Sequence, residues 1–212
     1  LTGHTVRVNE AYRTLNIIQK DLSYLVNKAK SFGIKEFNLY MSNLDVFQNP
    51  LQLQQFAYLV QEVERENPDF KINLRGLATV KSFLRTRDRT PLSIEELVNV
   101  GFHTVGFGVD GWGREEWAAL KKGHNTEEEC MEAIRSAKED FGIIPEILMV
   151  FGNPRTTKKE TIKAALKVTE RVVHKYGAIP RPHVSKDFIP GNEGWNLHEY
   201  AQQVESLMRF PR

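Results

Sequence analysis

Asp110 and Lys122 are the residues whose types and spacing point most directly to a ligand site. Residues 104–109 form an apolar run too brief for a helix of its own, and it reads as a strand. The run ends in Asp110, Gly111 and Gly113, so an acid sits at the carboxyl end of a strand. A helix from Arg114 to Lys121 follows, and Lys122-Gly123 then places a base one helix later. In parallel α/β proteins the carboxyl ends of the strands are where ligands are held. A second chemistry is carried by Lys186, which shares a strand face with Val184 and Phe188. A lysine desolvated in this way can act as a Schiff-base amine.

The same region holds a decoy. Residues 106–111, GFGVDG, fit the G-x-G-x-x-G pattern of dinucleotide sites. That fingerprint needs a complete strand before its first glycine and a helix opening at its last. Here only residues 102–105 precede Gly106, and Gly111 runs into Trp112-Gly113. The acid expected about twenty residues on falls among Glu127, Glu128 and Glu129, which read as a helix start. Dinucleotide binding is set aside on this mismatch.

Composition narrows the classes. The chain has 212 residues, with 41% hydrophobic and 26% charged, ordinary for a soluble globular domain with a proper core. Twenty-nine basic against 27 acidic side chains give +2, which argues against a dedicated nucleic-acid surface. No apolar run approaches the ~20 residues that span a bilayer, so no membrane role is expected. A single cysteine, Cys130, permits no internal disulfide and suits a reducing, cytoplasmic setting. It lies on an apolar helical stripe with Ala133, Ile134, Ala137 and Phe141, and burial is expected.

Helices and strands alternate along the chain. Leu15, Ile18, Leu22, Leu25, Val26 and Ala29 repeat at helical spacing, and Gly33 caps that helix. Residues 36–41 alternate as a strand. A second helix carries Phe56, Leu59, Val60 and Val63 and ends at Asn67-Pro68. A strand over 71–77 follows, then the basic stretch 81–90, read as a solvated loop or connecting helix. Ser93 is the expected N-cap of the next helix, which Gly101 closes. Thr126 with Glu129 and Thr157 with Glu160 match capping boxes. Between them lies a strand at 145–151. The helix after Thr157 is expected to face Ile162, Ala165, Leu166, Thr169, Val172, Val173 and Tyr176 inward. A strand at 182–189 and a last helix from Asn196 complete the pattern.

The fold expected is α/β, a partial parallel βα barrel of about five to six strands whose first strand is missing. Residues 1–195 form the partial barrel, and 196–212 a C-terminal helix and tail.

The wording of the turns adds to this. GFGVD, LKKGHNTEEECMEAI, GIIPEILMVFGNPRTTKKET and DFIPGNEGW, in that order, resemble the radical S-adenosylmethionine superfamily over roughly residues 36–195. The likeness is strongest to the branch associated with a cobalamin-binding domain. The resemblance implies a TIM-like barrel that binds S-adenosylmethionine and a four-iron–four-sulfur cluster, with cobalamin from an upstream domain of the same protein. It implies reductive cleavage of the small-molecule cosubstrate to a 5′-deoxyadenosyl radical, followed by methylation or rearrangement of a substrate. Asn43 and Asp45 fall where the family meets the methionine amino group. Arg75 falls at a polar contact to the cosubstrate, and Asp110 replaces the usual Glu or Gln near the ribose. Lys122 falls where a base meets the carboxylate, and Gly152, Asn153 and Pro154 form the turn beside the adenosyl group. These types suit a zwitterionic sulfonium nucleoside. Bland roles remain open: a turn for Asp110, a helix-terminal charge for Lys122, an ion pair for Arg75.

The family's C-x-x-x-C-x-x-C cluster motif is absent, and its loop is expected upstream of Leu1. The chain alone is therefore expected to be inactive. The alternatives are a Schiff-base barrel lyase using Lys186, and a non-catalytic scaffold whose contact is the basic stretch 85–89.

Overall fold

The computed structural model describes residues 14–42, 45–119, 124–151 and 159–184. Its elements run α1 (Leu15–Ser31), β1 (Glu36–Met41), α2 (Pro50–Glu66), β2 (Lys71–Ala78), α3 (Val80–Arg89), α4 (Pro91–Asn99), β3 (Phe102–Gly108), α5 (Arg114–Ala119), α6 (Glu127–Glu139), β4 (Ile144–Phe151), α7 (Lys159–Tyr176) and β5 (Ile179–Val184). Asn43, Lys122, Gly152, Asn153, Pro154, Thr157, Lys186 and the helix expected from Asn196 lie outside the described residues.

All five strands are parallel and stand in sequential order, β1-β2-β3-β4-β5. Sequential order is the βα-barrel arrangement, whereas doubly wound sheets reverse. The strands form a curled half-barrel, with neighbouring helices layered along one face.

Alternation along each strand shows which side chains meet the helices. On β2, Ile72, Leu74, Gly76 and Ala78 are buried beneath the helices, and Asn73, Arg75 and Leu77 face the concave side. At Gly76 an added Cβ would strike Val46, whose N–H donates to the Leu77 carbonyl at 2.8 Å. The loop after β1 is thereby locked against β2.

The helix-side core centres on Phe83 of α3. Its ring lies 5.3 Å from Phe47, 5.2 Å from Phe107 and 6.1 Å from Phe141, all in edge-on geometry. Such pairs add to simple burial.

Glycines close the helices as expected. Gly33, Gly101, Gly142 and Gly177 all have positive φ. Gly101 is the most constrained, with φ 93° and an Ile72 carbonyl oxygen where a Cβ would stand. Its own carbonyl accepts from Leu74 N at 2.8 Å, setting β3 against β2. Gly101→Ala is expected to cost about 2–4 kcal/mol from backbone strain and overpacking, read by urea unfolding.

Three expectations are corrected. Ser93 is not an N-cap. Pro91 starts α4 at its first position, Thr90 takes the cap, and Ser93 is buried in the first turn. Leu166 is 53% exposed, because the buried stripe of α7 follows Ala165, Val172 and Tyr176 instead. The last strand begins at Ile179 rather than 182. Pro180 and Pro182 donate no hydrogen bond, but both sit two apart on a strand at the edge of the described sheet. Their missing donors can therefore face the open side. The basic stretch is a helix, α3, and Arg87 on it pairs with Glu132 at 2.6 Å and with Asp88 at 2.7 Å.

Candidate functional site at the carboxyl end of the sheet

Asp110 stands at the exit of β3 with φ 50°, and it is the one described non-glycine residue with positive φ. An acid tolerates this region because its short polar side chain satisfies nearby backbone. Strain of this kind persists when surroundings over-determine it. Here they do. Trp117 Nε1 donates to the Val109 carbonyl at 2.7 Å, and Asn125 Nδ2 donates to the Gly108 carbonyl at 3.4 Å. The N–H groups of Val109 and Asp110 both reach the Leu148 carbonyl, at 3.1 and 2.9 Å. Glu116, 1% exposed, folds back to accept from Trp112 N at 3.2 Å. It occupies the space where a Cβ on Gly111 would be, and Gly111 itself has φ 100°. Trp112 and Trp117 pack at 5.7 Å and close the turn from beneath.

The Asp110 carboxylate lies toward the concave side. A Cβ added at Gly108 would stand 3.5 Å from Asp110 Oδ2 and would meet no other atom of the described residues within 4 Å. Among the described residues the strand exit is thus a bare stretch of backbone with an acid beside it. Gly111→Ala is expected to displace Glu116 and loosen this turn. The matching observation is faster amide exchange at Trp112 and Val109, with β4 protection unchanged.

Asp45, which the resemblance places at the methionine ammonium, makes three contacts of its own in the structure. Its Oδ1 accepts from Phe47 N at 3.1 Å and Ser82 Oγ at 2.6 Å, and its Oδ2 accepts from Thr79 Oγ1 at 2.8 Å. Thr79 is in turn the N-cap of α3, accepting from Ser82 N. Asp45 therefore ties the loop after β1 to the start of α3.

Arg75 takes the ion-pair role that the sequence left open. It reaches across β3 to Glu146 on β4, with Nη2 to Oε2 at 2.6 Å. Glu146 is 2% exposed, and its other oxygen accepts from Arg181 of β5 at 2.8 and 3.2 Å. Tyr40 of β1 stacks on the Arg75 guanidinium at 5.6 Å. The stripe crosses the whole sheet because β3 presents Gly106 beneath it, where a Cβ would meet Leu77 and Leu148. Glu146 and Arg181 were missed from sequence. The available signal was a lone acid inside the apolar strand 144–151.

Cys130 sits buried on α6, and burial, then the nearby Glu129 and Glu127, push its thiol up to about 12. Among the described residues no group of three or more His, Cys, Asp or Glu side chains is placed to hold a metal ion. With one thiol in the chain, and that one buried, the residues present do not fit an iron–sulfur cluster. At pH 8 so little thiolate forms that Cys130 should react with a bulky thiol reagent at least ~1000-fold more slowly than a free thiol. Alkaline stability follows the same shift. Folding holds the thiol neutral, so its stabilisation is complete below the ordinary value of 9.0 and is lost as pH rises toward about 12. Cys130→Ala should flatten this loss, which amounts to at most ~1.4 kcal/mol per pH unit.

Among the described residues no helix is long and apolar enough to cross a membrane.

No family model and no curated protein matches the sequence. Solved structures do. The cobalamin-dependent S-adenosylmethionine radical enzyme OxsB, with aqua-cobalamin bound, superposes with a TM-score of 0.61 at 15% identity, over 92% of this chain and 26% of its own. Elp3 of the archaeon Methanocaldococcus infernus gives 0.56 at 13% identity, over 92% and 47%. Methylornithine synthase (PylB) gives 0.53 at 17% identity, over 89% and 52%. The chain thus spans about a quarter of OxsB and about half of the other two. The fold of this chain is a parallel βα half-barrel, which it shares with these enzymes.

Proposed function

We propose that the carboxyl end of the half-barrel binds the nucleoside end of S-adenosylmethionine, as part of a radical S-adenosylmethionine enzyme. The observation that carries this reading is Asp110, held at φ 50° beside Gly108, whose backbone no other described side chain covers. A ribose offers two vicinal hydroxyls, and a carboxylate accepts from both. Gly108 itself puts no side chain in the path of a flat nucleoside approaching the strand end. Trp117, Asn125 and Glu116 hold the turn before any ligand arrives, so little ordering cost falls on binding. The roles implied for Asn43, Lys122, Gly152, Asn153 and Pro154 belong to this same proposal.

When bound, S-adenosylmethionine supplies a 5′-deoxyadenosyl radical on one-electron reduction. That reduction is assigned to the whole protein. This chain lacks the thiolates for the cluster, and none of its residues is given a part in the electron transfer. Cobalamin-dependent methylation or rearrangement, with an upstream cobalamin-binding domain, is supported by the likeness to OxsB.

The test is Asp110→Asn, which keeps the side-chain shape and tolerance for positive φ but removes the charge. Hydrogen bonds to a charged group contribute about 1.5–3 kcal/mol, so the affinity for S-adenosylmethionine by equilibrium dialysis should fall roughly 10- to 150-fold. Unchanged affinity in a folded variant would remove Asp110 from the site.

A further inference from the structure

Among the described residues, the cluster of Arg75, Glu146 and Arg181 carries a charge imbalance that the nucleoside site does not use. Arg75 and Arg181 both bond to Glu146, one to each carboxylate oxygen. Two guanidinium groups on one carboxylate leave one positive charge over. A pair built only to neutralise a buried acid needs a single arginine. Glu146 is enclosed, while the Arg75 and Arg181 side chains remain 38% and 47% exposed. Arg75 also keeps a buried Nε–H without an acceptor among the described residues. Arginine offers five donors in a planar fork, so both side chains have donors to spare.

The register places this surplus beneath the nucleoside site. Glu146 lies beside Gly106 of β3, and Asp110 stands at the exit of that strand, its N–H on the carbonyl of Leu148, two residues beyond Glu146. Tyr40 walls one side through its stack on Arg75. Leu77 and Leu148 meet over Gly106, so the floor between the arginines and the exit of β3 is apolar.

We infer that Arg75 and Arg181 form a binding site for a carboxylate on a small-molecule substrate, with Glu146 as the internal counter-ion that holds both forks in place. A carboxylate brings one negative charge and a matching planar pair of acceptors, which closes the imbalance. A phosphate brings closer to two and overshoots it. As a substrate site this rests on the nucleoside reading above, because it puts the acid group on the molecule that lies below S-adenosylmethionine. The charge argument itself uses no nucleoside.

The test therefore omits S-adenosylmethionine, so that either reading can fail without the other. Side-chain Nε–H signals of the 15N-labelled chain are followed while sodium acetate, or inorganic phosphate in a parallel arm, replaces chloride at constant ionic strength. Acetate should shift Arg75 and Arg181 saturably and leave the exposed Arg65 on a shallow linear course. Phosphate should bind at least threefold more weakly than acetate. Arg181→Met should weaken acetate at least fivefold at Arg75. If that variant does not fold, Arg181→Lys, which keeps the charge but loses the fork, should weaken it at least threefold. Glu146→Gln removes the internal competitor and should tighten acetate at least threefold, an effect that a purely structural ion pair does not produce. Linear shifts equal to those of Arg65, or no tightening in folded Glu146→Gln, would overturn the site. Phosphate binding more tightly than acetate would overturn the carboxylate assignment.

Discussion

Phe83→Ala is expected to remove about 3–5 kcal/mol of stability, a large share of the ~5–15 kcal/mol that a domain typically holds. Phe83 is 0% exposed and touches three other aromatic rings from three parts of the chain. Phe47 comes from the loop after β1, Phe107 from β3 and Phe141 from the turn after α6. Truncation leaves a cavity among rings that cannot all collapse into it, so the cavity adds to the lost transfer energy. Urea unfolding by circular dichroism measures this directly. Phe83→Leu should recover more than half of the loss, because it restores most of the volume. A loss below about 1 kcal/mol for Phe83→Ala would place the centre of the core elsewhere.

The second large effect concerns activity. After anaerobic reconstitution with iron and sulfide, this chain with dithionite and S-adenosylmethionine should form no 5′-deoxyadenosine above a protein-free control. An iron–sulfur cluster needs several thiolates at one place, and the chain has one thiol. That thiol is buried in the α6 stripe and held neutral. Its burial was expected from Ala133, Ile134 and Ala137 on the same face, and all three are buried. Catalytic 5′-deoxyadenosine formation would contradict both the ligand count and the placement of Cys130.

The legible parts of the sequence were those set by local chemistry. The apolar run before Asp110 and the glycines after it marked a strand exit, and the structure adds the positive φ. Thr126 accepts from Glu129 N, as the capping pattern required. Sequential parallel strands followed from the alternation of helix and strand signals. The polar network on the concave face was not legible. Arg75 and Glu146 are 71 residues apart, and Glu146 and Arg181 are 35. Strand periodicity assigns each to a face, but the partner depends on sheet register and on Gly106 leaving room. Asp45 shows the same limit. Its observed partners, Thr79 and Ser82, lie 34 and 37 residues away. Ser93 lost its expected cap to Pro91, a stronger local signal two residues upstream.

The most direct measurement of the nucleoside site is a titration of the 15N-labelled chain with S-adenosylmethionine, mapped on backbone amides. The account predicts saturable shifts at Gly108, Asp110, Gly111 and Asn125, the residues that build the exit of β3, with α1 and α2 unmoved. Saturable shifts confined to other parts of the chain, or none at all in the folded protein, would contradict it.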